Sequence, residues 1–329
     1  MTEWLDGQWL MVNEQTGWRI EDSGIDKAAL DAYIEEQIYT LPGTDRHREE
    51  FSIVLTGSRA IGCHTPASDV DIDVLCPQRI YESVLKAAFE AGITKSPNSL
   101  VICTLKGDDW GRYFGKALGR PHFSLTSLAT AERQFREYED VPLWIWTNAK
   151  VITDPEERFG RIRDSFHGYP KDVLIRKIKY RWLLDGYWAV DGYPHNHRCD
   201  EEFLAAAASV VNGWLEVVRF CFLVEGRPFP YAEKLMHFGL QTSLGKTLGP
   251  MIRRSIDLAV GRAEPDMDPW ERLDKAVEPM LMQDPGTEGE WFWNVTARAA
   301  IEAGVDEAWI NADYDNIHEL LTGSLGPPP

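Results

Sequence analysis

Three aspartates stand at alternate positions, Asp69, Asp71 and Asp73, in the stretch FSIVLTGSRAIGCHTPASDVDIDVLC that runs from Phe51 to Cys76. Residues two apart on a strand share a face, so an apolar run carrying these acids sets three carboxylates side by side. A row of like charges on a half-buried strand works against folding unless a cation lies over it. Carboxylate oxygens suit Mg²⁺, which is held by one or two protein carboxylates and completed by substrate phosphates. Upstream, the apolar run Ile53, Val54, Leu55 ends at Gly57-Ser58. A glycine–serine turn opening a helix offers backbone N–H groups and a hydroxyl to phosphate oxygens. The pattern points to a metal–nucleotide site.

The elements that must position these residues follow from periodicity. Apolar positions Ile25, Ala28, Leu30, Tyr33, Ile34 and Ile38 predict a helix over 25–39, with Asp22 and Ser23 as caps. The strand, the Gly-Ser turn and the acid-bearing strand come next, ending near Cys76-Pro77. A helix over 79–91, a strand over 99–105, a glycine-rich excursion KGDDWGRYFGKALGRP and an alternating strand HFSLTSL complete an α/β unit. A helix over 129–138 and the segment LWIWTNAKVITDPEERF carry the chain out of the sheet domain. Beyond Tyr169 long helical periods take over, the clearest running from Asp200 to about Val224. The boundary is expected near Asp154-Pro155.

Gly57-Ser58, ten residues, then Asp69-Val70-Asp71-Ile72 resembles the signature of the DNA polymerase β nucleotidyltransferase superfamily. The run GSRAIG…SDVDIDV is most similar to its small bacterial branch, which includes the aminoglycoside adenylyltransferases. The pair Asp71/Asp73 also fits the permitted spacer, and the Ser-Asp pair before Val70 favours Asp69/Asp71. In the second half, Tyr169-Pro170, Arg198-Cys199-Asp200 and Tyr231-Ala232-Glu233-Lys234 resemble markers of an uncharacterised bacterial group that pairs this sheet domain with a helical one.

The resemblance implies an α+β fold, a mixed-sheet nucleotidyltransferase domain over 1–154 and a C-terminal helical bundle that binds the acceptor over 155–322, while the composition of the GPPP end predicts a disordered tail over 323–329. It implies Asp69 and Asp71 as catalytic metal ligands with Asp73 beside them, and Gly57, Ser58 and Arg59 at the nucleotide. Lys234 would neutralise a phosphate, with Arg198 or Asp200 facing the cleft. The cofactors are Mg²⁺ and ATP or another NTP, and AMP would pass to a hydroxyl of a small acceptor. The superfamily places a third carboxylate on a later strand. In PHFSLTSL the matching position is Ser124, and its same-face neighbours His122 and Thr126 restore no acid. Candidates for the missing acid are Asp73, Asp108, Asp109 or a residue of the helical domain. That departure keeps open a catalytically impaired, nucleotide-binding regulator.

Composition bounds the partners. With 34 basic and 52 acidic residues the net charge is −18, a surface that repels long polyanions and attracts cations. A cationic, aminoglycoside-like acceptor is therefore favoured over tRNA, and a protein acceptor of the toxin type stays as an alternative. No apolar run reaches the length of a membrane span and the start MTEWLDGQWL is not a secretory signal. Five scattered cysteines without CxxC spacing match a reducing cytoplasm.

Other motifs are weaker. GLQTSLGKT lacks the first glycine of a phosphate loop, since Leu240 stands there. His195, His197 and Cys199 lack a fourth zinc ligand at a familiar spacing. Arg176, Lys177, Lys179 and Arg181 read as a solvated face, and Trp110, Trp144 and Trp146 as packing with some capacity to stack on a base.

Overall fold

The computed structural model describes residues 18–98, 100–102, 111–114, 119–182, 202–281 and 292–311. It divides into two compact units, Met1–His167 and Gly168–Pro329.

The first unit is built on one sheet. Its strands are β1 (Ser52–Thr56), β2 (Val70–Cys76), β3 (Leu100–Ile102), β4 (Pro121–Ser127) and β5 (Lys150–Thr153), in the order β3-β4-β2-β1-β5. β2 and β4 run parallel, while every other neighbouring pair is antiparallel. The sheet is mixed, as expected. One face carries Ile53, Leu55, Val70, Ile72, Val74, Phe123 and Leu125, buried against helix α1 (Lys27–Tyr33) with its π-turn Ile34–Ile38, and α3 (Gln78–Glu90). The alternation that puts these apolar residues on one side puts Asp71, Asp73, His122 and Ser124 on the other. That second face is apolar at one end, where Val54 and Leu75 are fully buried, and acidic at the other.

Two local expectations shift. The cap of α1 is Asp26, whose carboxylate accepts from Ala29 N at 2.9 Å. Asp22 instead binds Arg19 N at 2.8 Å, and the Ser23 hydroxyl donates to Ile20 O, both closing the 3₁₀ turn Ile20–Ser23. The segment LWIWTNAKVIT adds an edge strand to the sheet before the chain moves on. After α4 (Gly111–Phe114), β4 and α5 (Leu128–Arg136) it forms α6 (Asp140–Asn148) and returns as β5 on the edge of β1, with a register shift opposite Ile53/Val54. Trp144 and Trp146 are buried packing residues, and Trp146 Nε1 donates to Gln134 Oε1 at 2.8 Å.

The boundary expected at Asp154 falls later for a physical reason. Asp154 accepts from Ser52 Oγ at 2.6 Å, from Arg158 N at 3.1 Å and from Gly160 N at 2.9 Å. One carboxylate thus ties β1 to the start of α7 (Arg158–Asp164) and keeps that helix in the first unit.

The second unit is helical: α8 (Lys171–Lys179), α9 (Phe203–Leu223), α10 (Ala232–Gly239), α11 (Ser243–Ala259), α12 (Pro269–Leu281), α13 (Phe292–Glu302) and α14 (Glu307–Ile310). Its axis is α9, whose Val210, Trp214, Val218 and Phe222 are fully buried, with Trp214 Nε1 donating to Ala276 O at 3.0 Å. Among the described residues α9 alone is long and apolar enough to cross a membrane, with a mean hydropathy of 1.4, and 56% of that window is packed inside the unit. It serves as a core helix.

The basic run is not the solvated face it was expected to be. Lys177 is 1% exposed with Nζ 5.6 Å from the Tyr169 ring centroid. Arg181 pairs with Glu216 at 2.8 Å and lies over Phe229. The cations interleave with apolar positions on α8, so their alkyl stems enter the core with them. GLQTSLGKT spans the end of α10, a turn and the start of α11, where the Thr242 hydroxyl accepts from Gly245 N at 3.0 Å. Trp110, Asp108, Asp109, His195, His197, Arg198, Cys199, Asp200 and the segment 312–329 lie outside the described residues.

Candidate active site

The site begins where β1 stops. Thr56 is extended, Gly57 turns to φ +66°, and α2 (Gly57–Ala60) starts at once. A side chain is excluded at Gly57 twice over. The backbone is left-handed there, and a Cβ would lie 2.0 Å from Asp71 Oδ2. The turn therefore sits directly on the carboxylate of β2. Ser58 follows on the first turn of α2, 8% exposed.

Asp69 and Asp71 occupy the entrance of β2 and share its acid face. Their side chains are 50% and 36% exposed, so a ligand can reach them. Asp69 is fixed from the β4 side. Gly119 packs its backbone on the 67–69 loop, where a Cβ would meet Ser68 C at 2.5 Å, and Arg120 N donates to Asp69 Oδ1 at 2.8 Å. The Asp71 carboxyl is pushed above the ordinary aspartate range, first by burial and then by the charges of Asp69 and Asp73, against the opposing pull of His122 and Arg59. A divalent cation would remove that penalty, and the hard oxygens of this pair suit one.

Asp73 is different. Its Oδ2 accepts from Thr56 Oγ1 at 2.8 Å and its Oδ1 from Ser124 Oγ. Burial pushes its carboxyl upward while both hydroxyls oppose the shift. Expected beside the metal, Asp73 instead directs both oxygens to neighbouring strands. The donor set does not favour it as a ligand.

Arg59, expected at the nucleotide, turns inward. It is 1% exposed, and its guanidinium donates to the carbonyls of Ser23, Thr65, Pro66, Ser68 and Asp69. Contact with a phosphate would break these bonds. Arg59 instead fastens the loop that delivers Asp69. Lys234 lies on the first turn of α10 in the second unit, half-buried.

The strand register corrects the assignment of the missing acid. β2 and β4 pair Asp71 with His122 and Asp73 with Ser124. The residue beside the Asp69/Asp71 pair is therefore His122, not Ser124. Its Nε2 is 3.1 Å from Asp69 Oδ2 and its Nδ1 3.7 Å from Asp71 Oδ1. The alternation of HFSLTS marks its face, but the register of a parallel pair joined by a long crossover is invisible in the sequence. Among the described residues, no three His, Cys, Asp or Glu side chains stand arranged around a metal position.

A strand, a glycine–serine turn on a carboxylate, and two acids on the next strand define a nucleotidyltransferase domain of the polymerase β kind. Residues 44–109 match the family model described as nucleotidyltransferase domain. Residues 135–234 match the model of a domain of unknown function, DUF4037. The chain thus carries a polymerase β-like nucleotidyltransferase domain joined to a DUF4037 region. No curated protein matches it. Among solved structures it is similar to a nucleotidyltransferase-like protein from Exiguobacterium sibiricum 255-15, at 9% identity over 91% of this chain and 85% of that one, with a TM-score of 0.39.

Proposed function

We propose that the chain transfers a nucleoside monophosphate, AMP from ATP, to a hydroxyl of a small cationic acceptor of aminoglycoside-like chemistry. The observation that carries the reading is the Gly57 turn seated on Asp71, with Asp69 beside it on a solvent-accessible face. Asp69 and Asp71 hold the divalent cation. When bound, the cation offsets phosphate charge and acidifies the attacking hydroxyl. Gly57 and Ser58 receive the triphosphate, and Arg59 holds the loop behind Asp69. The net charge of −18 favours the cationic acceptor, and the choice of AMP follows the resemblance to bacterial adenylyltransferases.

The test is pyrophosphate release and label transfer from α-labelled ATP across a panel of aminoglycosides and other amino-alcohols. Transfer is expected with the native chain. Asp69→Ala and Asp71→Asn should each lower it at least 100-fold while leaving the circular dichroism spectrum intact. Equal turnover by variants and native chain would sink the reading.

One observation favours a second reading, a nucleotide-binding regulator without turnover: β4 presents His122 and Ser124 where an acid is customary. Calorimetric binding of ATP with its cation, together with no transfer to any acceptor, would select it.

A further inference from the structure

We propose that His122 is a positioning residue of the acid pair: from outside the set of metal ligands it fixes the carboxylate of Asp69, and through that carboxylate it sets how tightly the divalent cation is held. The inference rests on the reading in which Asp69 and Asp71 hold the ion. The two acids are kept in place by different means. Asp71 is seated by packing, with the Gly57 turn directly on its carboxylate. Asp69 stands at the strand entrance with half of its side chain exposed, and the last torsion of an aspartate is broad unless both oxygens are gripped. The chain entering β4 supplies that grip at two points. Arg120 N donates to Asp69 Oδ1 at 2.8 Å, and His122 Nε2 meets Asp69 Oδ2 at 3.1 Å. One contact on each oxygen sets the plane of the carboxylate as well as its direction. Each oxygen keeps a further lone pair for an ion.

The register explains which nitrogen acts. His122 pairs with Asp71, one same-face position beyond Asp69, so the far nitrogen of the ring, Nε2, reaches back to Asp69 while the near one, Nδ1, stays beside Asp71. Nδ1 is 3.7 Å from Asp71 Oδ1, too long for a hydrogen bond. The hold of the ring therefore falls on Asp69. The ring turns a different nitrogen to each acid and offers neither to a point between them, and among the described residues no three His, Cys, Asp or Glu side chains surround a metal position. His122 is thus the partner of a ligand. Such a partner strengthens binding because a carboxylate already oriented loses less freedom when the ion arrives. The next side chains along the face cannot take over, since Ser124 and Thr56 both donate to Asp73.

The experiment measures the affinity of the full chain for Mn²⁺ without nucleotide, from the electron paramagnetic resonance of the free ion, beside thermal melting. The variants are His122→Ala, His122→Gln, His122→Asn and Asp71→Asn. A glutamine amide nitrogen lies as many bonds from the backbone as Nε2 and an asparagine nitrogen as many as Nδ1, so the two amides ask which position matters. His122→Ala should weaken Mn²⁺ binding about 10- to 100-fold, and His122→Gln should restore it to within about threefold. His122→Asn should bind as weakly as His122→Ala, and the order of affinities should not follow the order of melting temperatures. If His122→Ala binds like the native chain, if His122→Asn restores binding as well as His122→Gln, or if affinity simply tracks melting, the proposal is overturned and the acid-pair reading stands. If Asp71→Asn leaves Mn²⁺ binding unchanged, or the native chain binds none, both are overturned.

Discussion

At the scale of single residues, the site depends on close approach more than on numerous contacts. Gly57 is the sharpest case. Any Cβ there meets Asp71 Oδ2, so Gly57→Ala should displace the carboxylate or the turn and lower transfer at least 100-fold. A 1 Å misplacement near reacting groups costs on that order. Single-turnover kinetics beside thermal melting would check it, because the effect on turnover should far exceed the effect on stability. Arg59 makes the opposite prediction. Its removal from the acid-bearing loop leaves several carbonyls without donors, and a lysine cannot reach them all. Arg59→Lys should cost about 3 kcal/mol in urea unfolding. The sequence makes Gly57 legible because its motif is built on the turn. It misdirects at Arg59, because an arginine beside a phosphate turn looks like a ligand until its burial and five carbonyl partners are visible.

Elements are legible where they are long and periodic. The helices of both units follow their 3.6-residue stripes, β1 shows as a short continuous apolar run, and β2 and β4 follow their alternation. β5 escapes because its four residues follow a tryptophan-rich helix and carry no turn signal of their own. The links between elements are also invisible to periodicity. Glu50, at the end of the 3₁₀ segment Asp45–Glu50, binds Arg79 of α3, Arg158 of α7 at 3.4 Å and His47 at 3.1 Å. Burial pushes its carboxyl upward, but these partners outweigh it and hold the group below the ordinary glutamate value. A carboxyl more acidic in the folded chain binds fewer protons there than in the unfolded chain. Its stabilisation is therefore complete above the unfolded pKa and is lost as pH falls through the folded one. Glu50→Gln should lower the urea midpoint at neutral pH and flatten its decline on the acid side, in a titration from about pH 6 to pH 3.

For the whole molecule, the family boundaries and the physical ones do not coincide. The DUF4037 match begins at residue 135, inside the first compact unit, so α6, β5 and α7 of the nucleotidyltransferase unit lie within that match. A boundary read from composition cannot show this, because it follows hydrogen bonds such as those of Asp154. Net charge acts at the same scale. With −18 over 329 residues, the chain should show no measurable affinity for single-stranded RNA at about 0.15 M salt, read by fluorescence anisotropy. Tight, salt-sensitive binding would move the acceptor to tRNA.

The short return of β5 also closes one margin of the sheet. It is the outer neighbour of β1, whose five residues are all buried. With β5 in place this margin of the sheet is four residues long, broken by a register shift and carrying Lys150, a poor template for further pairing. A chain ended after Ala149 would bare Ser52–Thr56 as an apolar margin able to recruit a second molecule strand to strand. It should accumulate as aggregate where one ended after His167 stays dispersed, a difference that sedimentation of the expressed material would register.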